Sequence, residues 1–225
     1  MSIAKNIAEF QEKLQNTNCR LIAVSKTQPK EAILEAYQAG QKVFGENKVQ
    51  ELVAKQEALP ADIEWHLIGH LQTNKVKYIA PFVHTIQSAE SLKLLQEIEK
   101  QAAKHDRRIN CLLQIYIAEE ETKFGLSPEE AKAILQSAEY KAMRHVNIAG
   151  VMGIATNTSS ETQLRKEFRY LRNCFDQLKA EFFPENAAFK EISMGMSSDY
   201  QLAIAEGSTM IRVGSSIFGA RNYAI

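Results

Sequence analysis

The chain has 225 residues, 45% of them apolar, with 27 Lys plus Arg against 27 Asp plus Glu. That size supports one large domain or two small ones, and the charge balance offers no footprint for nucleic acid or an anionic membrane, though it leaves room for a local basic pocket that takes a small anion. Cys19, Cys111 and Cys174 are scattered and form no CxxC pair, which argues against a metal centre or a disulfide framework, and no stretch approaches the ~20 apolar residues of a membrane span.

The opening MSIAKNIAEFQEKL lacks the long apolar core of a cleavable signal peptide. A soluble, cytoplasmic protein in a reducing compartment is therefore expected, with its thiols buried. The same residues predict an amphipathic helix over Ile3–Leu14. Next comes 21-LIAVSKT-27, an apolar run closed by a lysine, with Pro29 suited to the first turn of a helix. Lysine is rarely buried without a partner or a task.

Further strands are predicted at 42–47, 63–69, 83–89, 109–118, 148–155, 190–197 and 210–219, each rich in Val, Ile, Leu, Phe or Met and bounded by polar residues or glycine. Helical patterns fill the gaps. Leu92, Leu95, Ile98 and Ala102 share one face, as do Leu164, Phe168, Leu171, Phe175, Leu178 and Phe182. Ser127-Pro128-Glu129-Glu130 reads as a capping box, and Ser160 and Ser198 begin similar Ser-x-x-Gln patterns. Gly40 and Gly207 are placed to end helices.

Eight strands alternating with helices predict a single-domain (β/α)8 barrel over residues 1–225 with an extra N-terminal helix. The alternative is an open doubly wound sheet, but no GxGxxG follows the first strand. In a barrel the strand C-terminal ends share one rim, where chemistry happens. Polar residues cluster at those ends: Lys26, Glu46, Asn47, His66, His70, Gln87, Ser88, the polar loop 119–123, Ser193, Ser197, Arg212 and Ser215. The runs 193-SMGMSSD-199 and 212-RVGSSIFG-219 fall where this fold commonly binds phosphate, their small residues letting backbone N–H groups approach. Closure puts strand eight beside strand one, and so Lys26 beside those loops. A desolvated lysine there forms a Schiff base with an aldehyde. A sugar-phosphate carbonyl and pyridoxal 5′-phosphate both fit, and so does a structural ion pair between Lys26 and Glu46.

The segments AVSKT, FGENKVQE, WHLIGHLQTNK, GVMGIA, SMGMSSDY and IRVGSSIFGAR, in this order, closely resemble the YggS/PROSC family of pyridoxal phosphate homeostasis proteins over residues 21–221. The fold so implied is the type III pyridoxal-phosphate barrel, similar to the N-terminal domain of bacterial alanine racemase and of eukaryotic ornithine decarboxylase. The resemblance implies that Lys26 carries the cofactor as an aldimine. It implies that Ser193, Gly195, Met196, Ser197, Gly214 and Ser215 surround the phosphate, with Asn47 near the ring hydroxyl and His70 near the ring face. Arg212 resembles the racemase arginine that faces the pyridine nitrogen. A guanidinium does not give up its proton, so that nitrogen stays unprotonated and the ring is a weak electron sink.

Ser215 replaces a threonine common in such relatives and keeps a hydroxyl. The segment 154-IATNTSSE-161 departs from the usual sequence after the sixth strand. The sequence runs only a few residues past the eighth strand, so no racemase-like second domain is expected, nor the catalytic base such a domain supplies. The expected function is a carrier or buffer in cofactor homeostasis, monomeric, without catalytic residues or metal, handing pyridoxal phosphate to apo-enzymes. A weak amino-acid racemase, with Lys26 as one base and His70, Tyr116 or Tyr200 as the other, and a Schiff-base aldolase are the alternatives.

Overall fold

The computed structural model describes residues 2–120 and 124–219. Glu121, Thr122 and Lys123 of the polar loop, and Ala220 and Arg221 of the last quoted segment, lie outside the described residues.

Helix α1 (Ile3–Leu14) precedes eight alternations: β1 (Arg20–Val24), α2 (Lys30–Gln38), β2 (Val43–Glu46), α3 (Val49–Gln56), β3 (Glu64–Leu67), α4 (Val76–Ile79), β4 (Thr85–Ala89), α5 (Leu92–Lys104), β5 (Ile109–Gln114), α6 (Pro128–Gln136), α7 (Ala138–Ala142), β6 (Val146–Met152), α8 (Glu161–Phe182), β7 (Glu191–Ser193), α9 (Tyr200–Ala205), β8 (Met210–Val213) and α10 (Ser215–Phe218). All neighbouring strands are parallel and the sheet closes in sequence order, which excludes the open sheet. At closure Ile22 of β1 lies opposite Arg212 of β8.

Strand alternation divides the core in two. Leu21, Ala23, Trp65, Leu67, Ile86, Leu113, Ile192, Ile211 and Val213 point outward and pack under the helices. Facing inward, Ile22, Leu112, Ala149, Met152 and Met210 form a smaller cluster. The lumen also holds His66, Gln87, Ser193 and Arg212, all buried. A barrel interior is commonly filled by branched apolar side chains, so this polar filling distinguishes the molecule.

The helix signals act locally as read. Ser127 and Glu130 form a reciprocal capping box with Pro128 in the first turn, and Ser160 accepts from the Gln163 N–H. Leu164, Phe168, Leu171, Phe175 and Leu178 are buried along α8. Gly40 and Gly207 follow α2 and α9 at φ 94° and 95°. The Ser198 cap does not form. Asp199 occupies the N-cap of α9, because its carboxylate closes the preceding turn by accepting from the Met196 N–H at 2.6 Å. The predicted strands are too long at their C-terminal ends. Residues 194–197 are loop and 215–218 form α10, since small and polar residues there turn across the rim instead of pairing. All three cysteines are free and buried, and burial raises the thiols of Cys19 and Cys174 to about 11. Among the described residues no helix is long and apolar enough to cross a membrane.

Candidate functional site

Where β8 meets β1, the C-terminal rim opens into a cavity of about 310 Å³. Lys26, Asn47, Met196, Ser197, Arg212, Gly214 and Ser215 line it, together with Gln28, Ser198, Gly219 and the apolar Val24, Ile68 and Ile154. Two cations face this space, and no carboxylate is among its described lining residues.

Lys26 is carried on a tight turn. The Ser25 N–H still donates to the Gly45 carbonyl at 3.0 Å, so Lys26 follows the last rung of the sheet. Thr27 then adopts φ 62°, a left-handed conformation uncommon for a β-branched residue. Three side chains from β2 and α3 hold the turn. Glu46 accepts from the Ser25 hydroxyl at 2.5 Å, Lys55 donates to the Ser25 carbonyl at 2.7 Å, and Glu51 accepts from the Thr27 N–H at 2.8 Å. Lys55 joins both acids, at 2.7 Å to Glu46 and 3.3 Å to Glu51. The carboxylate considered as a structural partner for Lys26 is thus engaged by a different lysine. Glu46 is fully buried and its Oε2 makes no hydrogen bond. Burial pushes its carboxyl up, against the pull of Lys55 and Ser25.

Arg212 points inward from β8 and is buried. Its guanidinium donates to the Ser193 hydroxyl at 2.7 Å and to the Gly153 carbonyl at 2.9 Å. Burial pulls its pKa down to about 10, opposed by Asp199. The two loops expected to meet phosphate are tied together, since the Gly214 N–H donates to the Ser197 hydroxyl at 3.3 Å. Asn47 sits beside Gly69, where a Cβ would strike the Asn47 backbone, so only glycine lets β2 and β3 end this close.

Seven of the ten residues that the resemblance places around the cofactor line this one cavity. Ser193 and Gly195 stand behind its wall. Ser193 is fully buried under Arg212, and the Gly195 carbonyl accepts from the Arg212 backbone N–H at 2.9 Å. His70 does not line it. Its side chain is 58% exposed and pairs with Glu90 at 2.6 Å. Tyr116 donates to the Glu120 carbonyl and Tyr200 packs edge-on against Phe10, so neither reaches the cavity. Sequence reasoning missed Lys55. It carries no signal of its own, because a lysine in a helix reads as solvated until the fold buries it. Ile68, Ile154 and Gln28 were missed for a related reason: they follow strand ends and match no phosphate or lysine pattern.

Residues 1–222 match the family described as alanine racemase, N-terminal domain. A pyridoxal phosphate homeostasis protein of Aquifex aeolicus is 43% identical over 209 residues, which cover 92% of this chain and 89% of that protein. One of the same name from Haemophilus influenzae is 39% identical over 237 residues, covering 100% and 98%. The structure of PipY from Synechococcus elongatus with PLP bound superposes with a TM-score of 0.86 at 37% identity, covering 96% of this chain and all of that one. Alanine racemase from Bartonella henselae shares the fold, with a TM-score of 0.74 at 14% identity; this chain spans 61% of its length.

Proposed function

This chain belongs to the family of pyridoxal phosphate homeostasis proteins, and we propose on that premise that it binds pyridoxal 5′-phosphate through Lys26 and serves as a carrier or buffer for it. One observation carries the reading: a cavity walled by Lys26 and Arg212, with the small and hydroxyl residues Ser197, Gly214 and Ser215 between two loops and no carboxylate among its described lining residues. A dianionic phosphate needs donors without competing acids, and an aldehyde needs an amine. Both demands are met within one space of suitable size.

When bound, the cofactor offers an aldehyde that condenses with a primary amine, releasing water. The residues of this chain do the rest. Lys26 supplies the amine from a turn that Glu46, Glu51 and Lys55 hold in place. Ser197, Ser215 and the backbone around Gly214 supply donors for the phosphate. Arg212 supplies a fixed positive donor for the ring nitrogen and, having no proton to give at neutral pH, leaves that nitrogen an acceptor.

Two-base racemisation of an amino acid requires a second acid–base group opposite the lysine. Among the described residues His70, Tyr116 and Tyr200 all lie off the cavity, which supports binding and transfer over racemisation. In this reading the protein acts as a cytoplasmic monomer, and the recipients are apo-enzymes that use the same cofactor. The test is the visible absorption spectrum of wild type and Lys26→Ala with added pyridoxal phosphate, before and after borohydride. A band in the wild type that borohydride bleaches and the variant lacks is expected. Rapid racemisation by the pure protein would overturn the carrier role, and absence of the band would overturn the cofactor.

A further inference from the structure

Arg212 is one end of a hydrogen-bonded string that runs through the barrel. Its guanidinium donates to Ser193 Oγ at 2.7 Å, and Ser193 Oγ donates to Gln87 Oε1 at 2.6 Å. Gln87 Nε2 lies 2.8 Å from His66 Nδ1, and His66 Nε2 lies 2.9 Å from Glu64 Oε1. The string thus passes from β8 to β7, β4 and β3, and ends at the opposite mouth of the barrel. There Arg20 lies 3.4 Å and His84 3.2 Å from the same Glu64 oxygen. Glu64, His66 and His84 could also be read as a metal triad. Both His66 nitrogens are engaged, however, with Glu64 and Gln87, and His84 Nδ1 lies 2.8 Å from the Thr85 hydroxyl.

The direction of every link follows from the first. A guanidinium can only donate. Ser193 therefore accepts from Arg212 and sends its own proton to the Gln87 carbonyl oxygen. Gln87 must then turn its amide N–H toward His66, so Nδ1 is the accepting nitrogen. The proton of the neutral imidazole is left on Nε2, where it donates to Glu64. All four bonds point the same way, from a buried cation to a carboxylate, and such aligned bonds polarise one another. Ser193, Gln87 and His66 are fully buried, so breaking any link strands a polar group.

We propose that Gln87, His66 and Glu64 are positioning residues for Arg212: the string orients the guanidinium and brings it the negative potential of Glu64, so that residues at the far mouth of the barrel tune how the cofactor's ring nitrogen is met. This rests on the reading above that Arg212 faces the cofactor. A string that merely fills the lumen would matter to stability alone, and the two roles separate by measurement.

Two variants test it, Glu64→Gln, which keeps an acceptor and removes the charge, and Gln87→Leu, which cuts the middle. Nitrogen-15 NMR of the histidine rings in cofactor-free wild type is expected to place the His66 proton on Nε2. In Gln87→Leu that single tautomer is expected to be lost. With pyridoxal phosphate added, Gln87→Leu is expected to bind about three- to tenfold more weakly. Both variants are expected to shift the apparent pKa of the bound-cofactor absorption band by about half a unit or more. A wild-type His66 protonated on Nδ1 would overturn the string. Variants that fold, yet keep the wild-type band position, band pKa and affinity, would overturn its role. Glu64→Gln, at a solvent-accessible mouth, keeps the test alive if Gln87→Leu does not fold. A wild type that never acquires the band would instead sink the cofactor reading, with the tautomer result standing apart from it.

Discussion

Lys55 donates a 2.7 Å hydrogen bond to the carbonyl oxygen of Ser25, the residue immediately before Lys26. The same ammonium group pairs with the buried Glu46, which accepts from the Ser25 hydroxyl. One buried ion pair therefore grips both the backbone and the side chain of the residue next to Lys26. Removing one member of such a pair strands the other and costs about 3–5 kcal/mol. Lys55→Met is expected to lose stability on that scale in urea unfolding. Adding Glu46→Gln should restore much of it by removing the stranded charge. The double variant should still bind pyridoxal phosphate more slowly than wild type, because the Ser25 carbonyl then keeps only the backbone N–H of Gln28, at 3.0 Å. Full recovery of both properties would show that the pair serves stability alone.

Thr27 at φ 62° makes a separate prediction. A β-branched residue in the left-handed region costs about 1–2 kcal/mol. Thr27→Asn relieves part of that at little cost in unfolded-chain entropy. We expect Thr27→Asn to be about 0.5–1 kcal/mol more stable than wild type, with cofactor binding unchanged, since the Thr27 contact to Glu51 uses its backbone N–H. Equal or lower stability in thermal melts would mean that the conformation carries no strain worth removing.

The proposed phosphate contacts are tested by the cavity's hydroxyls. Ser197 also accepts from the Gly214 N–H, so on the proposed function Ser197→Ala removes both a ligand donor and the tie between two loops. Ser215→Ala removes a donor only. A hydrogen bond to a charged group contributes about 1.5–3 kcal/mol. Equilibrium titration should therefore find Ser215→Ala at least about tenfold weaker for pyridoxal phosphate, and Ser197→Ala weaker still. Pyridoxal, which lacks the phosphate, should bind both variants and wild type alike. An equal loss for pyridoxal would move these serines away from the phosphate.

Much of this arrangement was legible before any coordinates. The apolar runs named all eight strands, and a barrel necessarily brings strand eight to strand one, so Lys26 and Arg212 could be placed together from order alone. What stayed hidden were contacts that depend on inward facing and tertiary distance. Ser193 and Gln87 are 106 residues apart, and no local pattern links them. Lys55 looked like an ordinary helix-face lysine. His70 followed a strand as a site residue should, but its loop turns it outward to Glu90. Periodicity reports which residues are apolar, and it does not report where a rim loop sends its polar ones.

Glu64 gives the last prediction. Burial alone would raise its carboxyl, but the hydrogen bond from His66, the charges of the His66 and His84 rings once acid protonates them, and the charge of Arg20 outweigh burial and bring it from 4.5 to about 2. A carboxyl depressed in the folded state adds stability above its unfolded pKa, and that stability is lost as pH falls from about 4.5 toward 2. The full shift corresponds to about 3 kcal/mol. The side chain is 25% exposed, so solvent screening should leave about 1–2 kcal/mol. Glu46, raised by burial, works in the opposite sense, and its effect is common to wild type and variant. Urea unfolding at pH 6 and pH 3.5 should therefore show a smaller acid loss for Glu64→Gln than for wild type, by about 1 kcal/mol. Parallel losses in the two proteins would mean that Glu64 is not held ionised by the string it terminates.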